Sequence, residues 1–323
     1  MKAGLDALDN ALIQRMKRDA RVSPASMARE LRVSRATVGR RLRRIRNLGL
    51  VQIAAVVTPE ALGYPVNTYF TISTEFGALP RVGEALVALD ALRFVAAGSG
   101  TFDLFAAGSF RSDEHLYSFV AEDLAAIPGI RATETAHVVH RAKHLYKTVE
   151  PPGIGREPHV PEICLEPFDL RLLQELTDDG LRTYSAIARH LGVSEGTVRK
   201  RLNRLFRAGA LRIIALAGKG SSVRRVAVLM QMEAEPDRMF ALADALSERD
   251  DTWTVAITAG PYDVAAFVEV SSINDLPQFM IDISREIPGI RRTRTTRLIR
   301  TLKRTYTSVD LVYDHEALSQ EQH

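Results

Sequence analysis

Residues 33–51 read VSRATVGRRLRRIRNLGLV, and 160 positions further on residues 193–211 read VSEGTVRKRLNRLFRAGAL. The first stretch sets Arg35, Arg40, Arg41, Arg43, Arg44 and Arg46 side by side without a carboxylate; the second repeats the pattern with Arg199, Lys200, Arg201, Arg204 and Arg207. Val38, Leu42 and Ile45 recur at i, i+4 and i+7, which gives a helix one apolar face, and Ser34 stands where its N-cap belongs. That face leaves Arg35, Thr37, Arg40 and Arg43 outward or on the flanks. A merely solvated helix surface mixes charges through i,i+4 pairs. This one is uniformly cationic, so its counter-ions are expected from outside, and phosphate is the anion that arginine forks fit.

The same offset holds over the rest of the chain. Asp9 meets Asp169, Leu12 meets Leu172, Asp103 meets Asp263, Tyr146 meets Tyr306, and IPGIR at 127–131 meets IPGIR at 287–291. A repeat of this length is too long for one solenoid unit and reads as a tandem duplication of a complete module. Segment 149–163, VEPPGIGREPHVPEI, is a Pro- and Gly-rich linker between the copies, and 309–323 is a polar tail.

At 323 residues, with 46% hydrophobic and 25% charged residues, the chain is sized for several globular domains. A net charge of +4 excludes a uniformly basic protein, so a nucleic-acid reading depends on where the charge sits. No apolar run approaches a membrane span and no signal peptide opens the chain, which predicts a cytoplasmic protein without membrane contact. Cys164, the single cysteine, has no base beside it and reads as structural or incidental.

Within the first copy, Leu5, Leu8, Leu12, Ile13 and Met16 mark one helix, and Ser23-Pro24 opens a second. The basic helix is the third. A turn at Gly49 and the strand LGLVQIAAVV follow as an expected wing, completing a winged helix-turn-helix whose third helix enters a major groove. The remainder reads strand 66–74, helix 80–89, strands 93–99 and 103–110, helix 113–127 and strand 129–139, which is the ferredoxin-like order βαββαβ. The second copy repeats both parts, with Thr183 and Ser194 as caps. The expected class is therefore α+β, with helix-turn-helix domains at 1–60 and 164–220 and ferredoxin-like domains at 64–148 and 222–308. Two helices should cover one face of each sheet and leave the other to pair with another sheet.

The Leu8-Asp9 and Phe168-Asp169 pairs, the VSxxTVxxRLxR helices at 33–44 and 193–204, the Gly100-to-Asp103 and Gly260-to-Asp263 turns and the two IPGI motifs together resemble the Lrp/AsnC family of transcription regulators. The resemblance covers nearly the whole chain twice, whereas a usual member has one copy and pairs by dimerisation. It implies binding of double-stranded DNA through Ser34, Arg35, Thr37, Arg40, Arg41, Arg43 and Arg44, and through Ser194, Glu195, Thr197, Arg199, Lys200, Arg201 and Arg204. Arg35, Thr37 and Arg40 suit base edges; Arg41, Arg43 and Arg44 suit phosphates or ion pairs that hold the helix. It further implies an amino-acid-like effector beside Gly98, Gly100, Asp103, Thr133 and Thr135 and beside Gly260, Asp263, Thr293 and Thr295, and a homo-oligomer. The residues themselves also allow tight glycine turns with aspartates that satisfy local amides.

Arg35 opposite Glu195 and Gly39 opposite Arg199 make the two basic helices unlike, so an asymmetric DNA site is expected. A second class is a siroheme decarboxylase-like enzyme, since such enzymes resemble two fused copies of this module. His137, His140 and His144 suggest a metal site superficially, but alternation along a strand sends 137 and 140 to opposite faces. No catalytic triad, phosphate loop or nucleotide fingerprint occurs in the sequence, and no catalytic residue, metal or cofactor is expected.

Overall fold

The computed structural model describes residues 5–18, 22–144, 147–148, 165–178, 180, 182–217, 226–287 and 289–305. The linker at 149–163, Cys164, Tyr146, Tyr306 and the tail at 309–323 lie outside these residues, as does the side chain of His144.

The first copy runs α1 (Ala7–Arg18), α2 (Pro24–Glu30), α3 (Arg35–Asn47), β1 (Val51–Val57), β2 (Val66–Thr74), α4 (Leu79–Ala88), β3 (Leu92–Ser99), β4 (Leu104–Phe110), α5 (Asp113–Ser118), β5 (Ile130–His144) and β6 (Lys147–Thr148). The second runs α6 (Pro167–Asp178), α7 (Tyr184–Leu191), α8 (Glu195–Arg207), β7 (Leu211–Ala217), β8 (Val226–Ala234), α9 (Met239–Glu248), β9 (Thr252–Ala259), β10 (Val264–Val270), α10 (Leu276–Glu286) and β11 (Ile290–Arg304). Contacts divide the chain into two compact units: one gathers both helix-turn-helix segments, the other both ferredoxin-like segments.

In the first unit, hydroxyl caps set the helix starts. Ser23 Oγ accepts from Ser26 N at 3.1 Å, Thr183 Oγ1 from Ala186 N at 3.2 Å, Ser34 Oγ from Thr37 N at 3.0 Å and Ser194 Oγ from Thr197 N at 3.1 Å. The expected wing is a correction. β1 pairs antiparallel with β7 of the other copy, from Val51 opposite Ala217 to Val57 opposite Leu211. Ala55 and Val57 are thereby buried against Leu172, Leu176, Leu202 and Leu205 of the second copy's helices. The strand is nearly all apolar, VQIAAVV, and a solvated wing would expose it; a partner strand and a foreign helix layer bury it instead.

In the second unit, eight strands close into a ring in the order β2-β4-β3-β11-β8-β10-β9-β5, with β5 pairing back to β2. Each copy supplies four consecutive strands of the ring. α4, α5 and the turns after it cover one sheet over Phe70, Ile72, Val95 and Leu104. α9 and α10 cover the other over Val228, Met230, Val255 and Val264. The face left over in each sheet is buried against its counterpart through Tyr69, Phe102, Phe105, Leu229, Tyr262 and Phe267.

The long last strands lock the closure. β5 and β11 continue past their own copy, so Ala142 joins the core under α9 and Leu302 packs under α4. The residues that follow them donate to helix ends: Lys143 Nζ to Arg249 O at 2.7 Å and Lys303 Nζ to Leu89 O at 2.8 Å. These carbonyls are at the C-caps of α9 and α4, the negative ends of the helices. Burial pushes both ammonium groups below the ordinary lysine range, against the pull of nearby aspartates.

Two differences from the expected elements have local causes. The helix expected over 113–127 turns into a π-helix at Phe119–Leu124, because the copy buries Phe119 and Leu124, five residues apart. Its counterpart buries Phe279 and Ile283, four apart, and remains α. His137 and His140 are a second correction: the register shifts between Val138 and His140, so the alternation is reset and both face the helix layer, with His140 packed 6.0 Å from the Phe240 ring.

The turn before the basic helix is left-handed in both copies, at Gly192 with φ 68° and at Arg32 with φ 53°. Only glycine adopts this geometry without a Cβ penalty. Arg32→Gly is expected to stabilise the protein by about 1 kcal/mol, read as a higher denaturation midpoint, and Gly192→Arg to lower it by a similar amount.

Candidate functional site

The cations of α3 fall into two groups. Arg41 Nη1 lies 2.7 Å from Asp6 and 3.2 Å from Asp9, and Arg44 Nη1 lies 3.0 Å from Asp9. Asp9 is fully buried. The second copy repeats this: Arg201 reaches Glu166 at 2.7 Å and Asp169 at 3.6 Å, and Arg204 pairs with Asp169, also fully buried. Hydrogen bonds hold the acids in place, Asp9 N to Asp6 Oδ1 at 2.9 Å and Glu166 N to Asp169 Oδ2 at 3.1 Å. The backbone N–H of Asp9 is the main reason the Asp6 carboxyl lies below the usual carboxylate range, and the hydrogen bond from Arg201 does the same for Glu166. The Leu-Asp and Phe-Asp motifs thus join the first helix of each copy to its basic helix, a role that spacing alone did not disclose.

Arg35, Arg40 and Arg43 are exposed and have no ion pair among the described residues. Thr37 Oγ1 shares a hydrogen bond with Ser34 Oγ at 2.9 Å, as Thr197 does with Ser194, so these hydroxyls shape the helix start as well as its surface. Lys200 is exposed. Arg199 Nη2 donates to Glu195 Oε1 at 2.7 Å, so in the second copy the one acid at the helix start neutralises one of its cations. Among the described residues a Cβ on Gly39 would meet only Arg43 Nη1, at 3.7 Å, so none of them requires glycine there.

At the glycine turns the two copies interleave. A Cβ on Gly100 would come within 3.1 Å of Thr295 O and 3.2 Å of Thr296 Cα, and one on Gly260 within 2.8 Å of Thr135 O and 2.9 Å of Ala136 Cα. Gly98 abuts the Thr296 methyl, and Thr101 and Thr296 share a hydroxyl hydrogen bond at 3.2 Å. The turn of each copy therefore faces the last strand of the other, so Gly100 lies beside Thr295 and Thr296 and Gly260 beside Thr135 and Ala136, not beside Thr133 and Thr293 of their own copies as the family resemblance implies.

The aspartates of these turns hold backbone. Asp103 Oδ2 accepts from Thr74 N at 2.7 Å and from Thr74 Oγ1 at 3.1 Å, and Asp263 Oδ2 accepts from Ala234 N at 2.8 Å. Thr295 Oγ1 points at Met280 Sδ, 4.0 Å away, toward the helix layer. Thr293 lines a 190 Å³ cleft with Met280, Ile283, Ser284, Arg291 and Arg292. Among the described residues no three His, Cys, Asp or Glu side chains form a metal-binding group, and no helix is long and apolar enough to cross a membrane.

Two basic helix-turn-helix segments in one unit, and two ferredoxin-like sheets closed face to face in the other, define a duplicated chain that joins helix-turn-helix domains to paired ferredoxin-like sheet domains. Residues 5–46 and 165–205 match the AsnC-type helix-turn-helix domain, and residues 68–147 and 225–308 match the Lrp/AsnC ligand binding domain. The chain belongs to the Lrp/AsnC family.

Its relatives have about half its length. An uncharacterized HTH-type transcriptional regulator of Pyrococcus furiosus is 33% identical over 146 residues, 45% of this chain and 99% of the relative. The HTH-type transcriptional regulator LysM of Saccharolobus solfataricus is 26% identical over 140 residues, 42% of this chain and 95% of the relative. Over its whole length the fold is similar to a crystal structure of the siroheme decarboxylase NirDL, with a TM-score of 0.67 and coverage of 98% of this chain and 100% of that one. At 14% identity this likeness is one of fold.

Replacing Arg41 and Arg44 together with Ala leaves Asp9 buried without a cation. The expected loss is about 3–5 kcal/mol of stability in chemical denaturation, with much of it regained on adding Asp9→Asn.

Proposed function

We propose that the chain is a one-component transcription regulator: the exposed cations of α3 and α8 bind operator DNA, and the paired sheet domains respond to an amino-acid-like metabolite. The observation that carries the DNA reading is the division of labour within α3. Arg41 and Arg44 are committed to Asp9, whereas Arg35, Arg40 and Arg43 stand exposed, with no ion pair among the described residues, on a helix with no acid of its own. Phosphate and base edges supply what this surface lacks, with Arg35, Thr37 and Arg40 nearest the helix start that reads bases and Arg43 on the backbone. The family membership and the regulator names of the relatives support the same reading.

The second head reads differently. Glu195 is held by Arg199, so it presents a neutralised pair where the first copy presents Arg35 and Gly39. One chain therefore recognises two unlike half-sites. Effector contacts come from backbone groups of the Gly100 and Gly260 turns together with β11 and β5 of the opposite copy, since the carboxylates of Asp103 and Asp263 already serve the backbone. A screen of amino acids by thermal shift identifies the effector, because a ligand at about 100 times its Kd stabilises by about 2.7 kcal/mol.

A second reading, a siroheme decarboxylase-like enzyme, rests on the full-length fold likeness to NirDL. Purified protein titrated with siroheme separates the two: a new visible absorption band together with no DNA retention favours the enzyme.

Selection from a random DNA pool tests the regulator. An asymmetric site is expected, with Arg35→Ala relaxing about 1–3 kcal/mol of discrimination in one half only and Glu195→Ala altering only the other. Arg43→Ala should weaken all sequences alike and flatten the salt slope by about one unit. A perfect palindrome, equally sensitive to both substitutions, overturns the two-half-site reading.

A further inference from the structure

The 160-residue offset places Glu134 and Arg294 at the same position of the two copies, each on the last strand of its sheet. In the structure these two residues meet each other, Arg294 Nη1 lying 3.7 Å from Glu134 Oε1. Exchanging the copies maps this pair onto itself, so it sits at the pseudo-two-fold axis of the closed sheet ring. Only there does the identity of one position decide which copies can face each other. Two first copies facing each other would bring Glu134 against Glu134, and two second copies would bring Arg294 against Arg294.

The surroundings are equally one-sided. Thr71 Oγ1 donates to Glu134 Oε2 at 3.2 Å and thereby orients the acid, while the equivalent of Thr71 in the second copy is Gln231, beside Arg294 in the strand register. At the rim of the shared interior, the exposed Arg304 stacks over Phe94 of the first copy at 5.3 Å and Trp253 of the second at 5.1 Å. The equivalent of Trp253 is Arg93 and that of Phe94 is Thr254, so neither like pairing rebuilds a cation between two rings.

We propose that the inner sheet faces are matched to accept the unlike copy and to reject the like copy, so that these faces close each chain on itself and do not join it to a second chain. First-to-first and second-to-second pairing between chains joins separate molecules, either two chains into a closed dimer or many into a linear polymer, whereas first-to-second pairing within a chain is closed. Covalent linkage already favours the closed form through a high effective concentration. The axial pair removes the remaining advantage of like pairing at the protein concentrations met during refolding. The partner that fits either face is the other half of the same chain, and a further association of whole chains uses other surfaces.

The test uses full-length protein in four forms: wild type, Glu134→Arg, Arg294→Glu and the double charge swap. Each single variant makes the axis like-charged in every pairing and so abolishes the discrimination. The singles are expected to melt about 2–4 °C below wild type, and the swap to return to within about 1 °C of it. After refolding at rising protein concentration, the singles should give a larger share of extended high-mass species by size-exclusion chromatography with light scattering, and the swap should return it to the wild-type share. Singles that melt and refold like wild type, or a swap that stays as impaired as the singles, overturn the proposal. Glu134→Gln with Arg294→Gln controls for loss of shape: it should melt near wild type while yielding an intermediate share of high-mass species, and a wild-type share would also overturn it.

Discussion

A four-stranded ferredoxin-like sheet covered by two helices still has an open face and two edges of unpaired backbone groups. In this protein both deficits are met by the same event, the pairing of β3 with β11 and of β5 with β9, which closes eight strands into a ring and buries the aromatic interior from Tyr69 to Phe267. Much of the second unit follows from that closure. The last strands extend to fifteen residues because each has a second sheet to join, their tips fill the other copy's helix layer with Ala142 and Leu302, and Lys143 and Lys303 neutralise foreign helix ends. The glycines at 100 and 260 stand where a foreign strand passes too close for a side chain.

The helix-turn-helix unit solves a similar problem with a single pair of strands. β1 and β7 are too short and too apolar to stand alone, and each finds its partner in the other copy. Inside each head, a buried aspartate binds two arginines of the basic helix, so part of the positive charge goes to architecture. A fully buried carboxylate is tolerated when cations and N–H groups reach it, and Asp9 and the Oδ2 of Asp169 have both. The charge left for a partner is therefore smaller than the arginine count of the sequence, but it is concentrated on the outward face.

Duplication frees the two copies to diverge, and they have done so at the surfaces that matter most. The basic helices differ at their exposed starts, where Arg35 faces solvent and Glu195 closes on Arg199. The sheet faces differ at their shared axis, where Glu134 meets Arg294. A symmetric dimer cannot place opposite charges at one position of both subunits; a fused chain can.

The tandem repeat, the element order, the helix caps at Ser23, Ser34, Thr183 and Ser194 and the apolar faces were legible in the sequence, because they depend on spacing and local chemistry within a few residues. The charge asymmetry of the basic helices was legible too. Partners across the copies were not. No local signal says that VQIAAVV pairs with the second copy instead of forming a wing, that Asp9 gathers Arg41 and Arg44, that a bulge turns His137 and His140 to the same side, or that the Gly100 turn faces β11. Each of these depends on which surfaces meet when two modules close on each other, and that choice is made by the summed burial and edge pairing of whole sheets, a quantity that resides in tertiary structure.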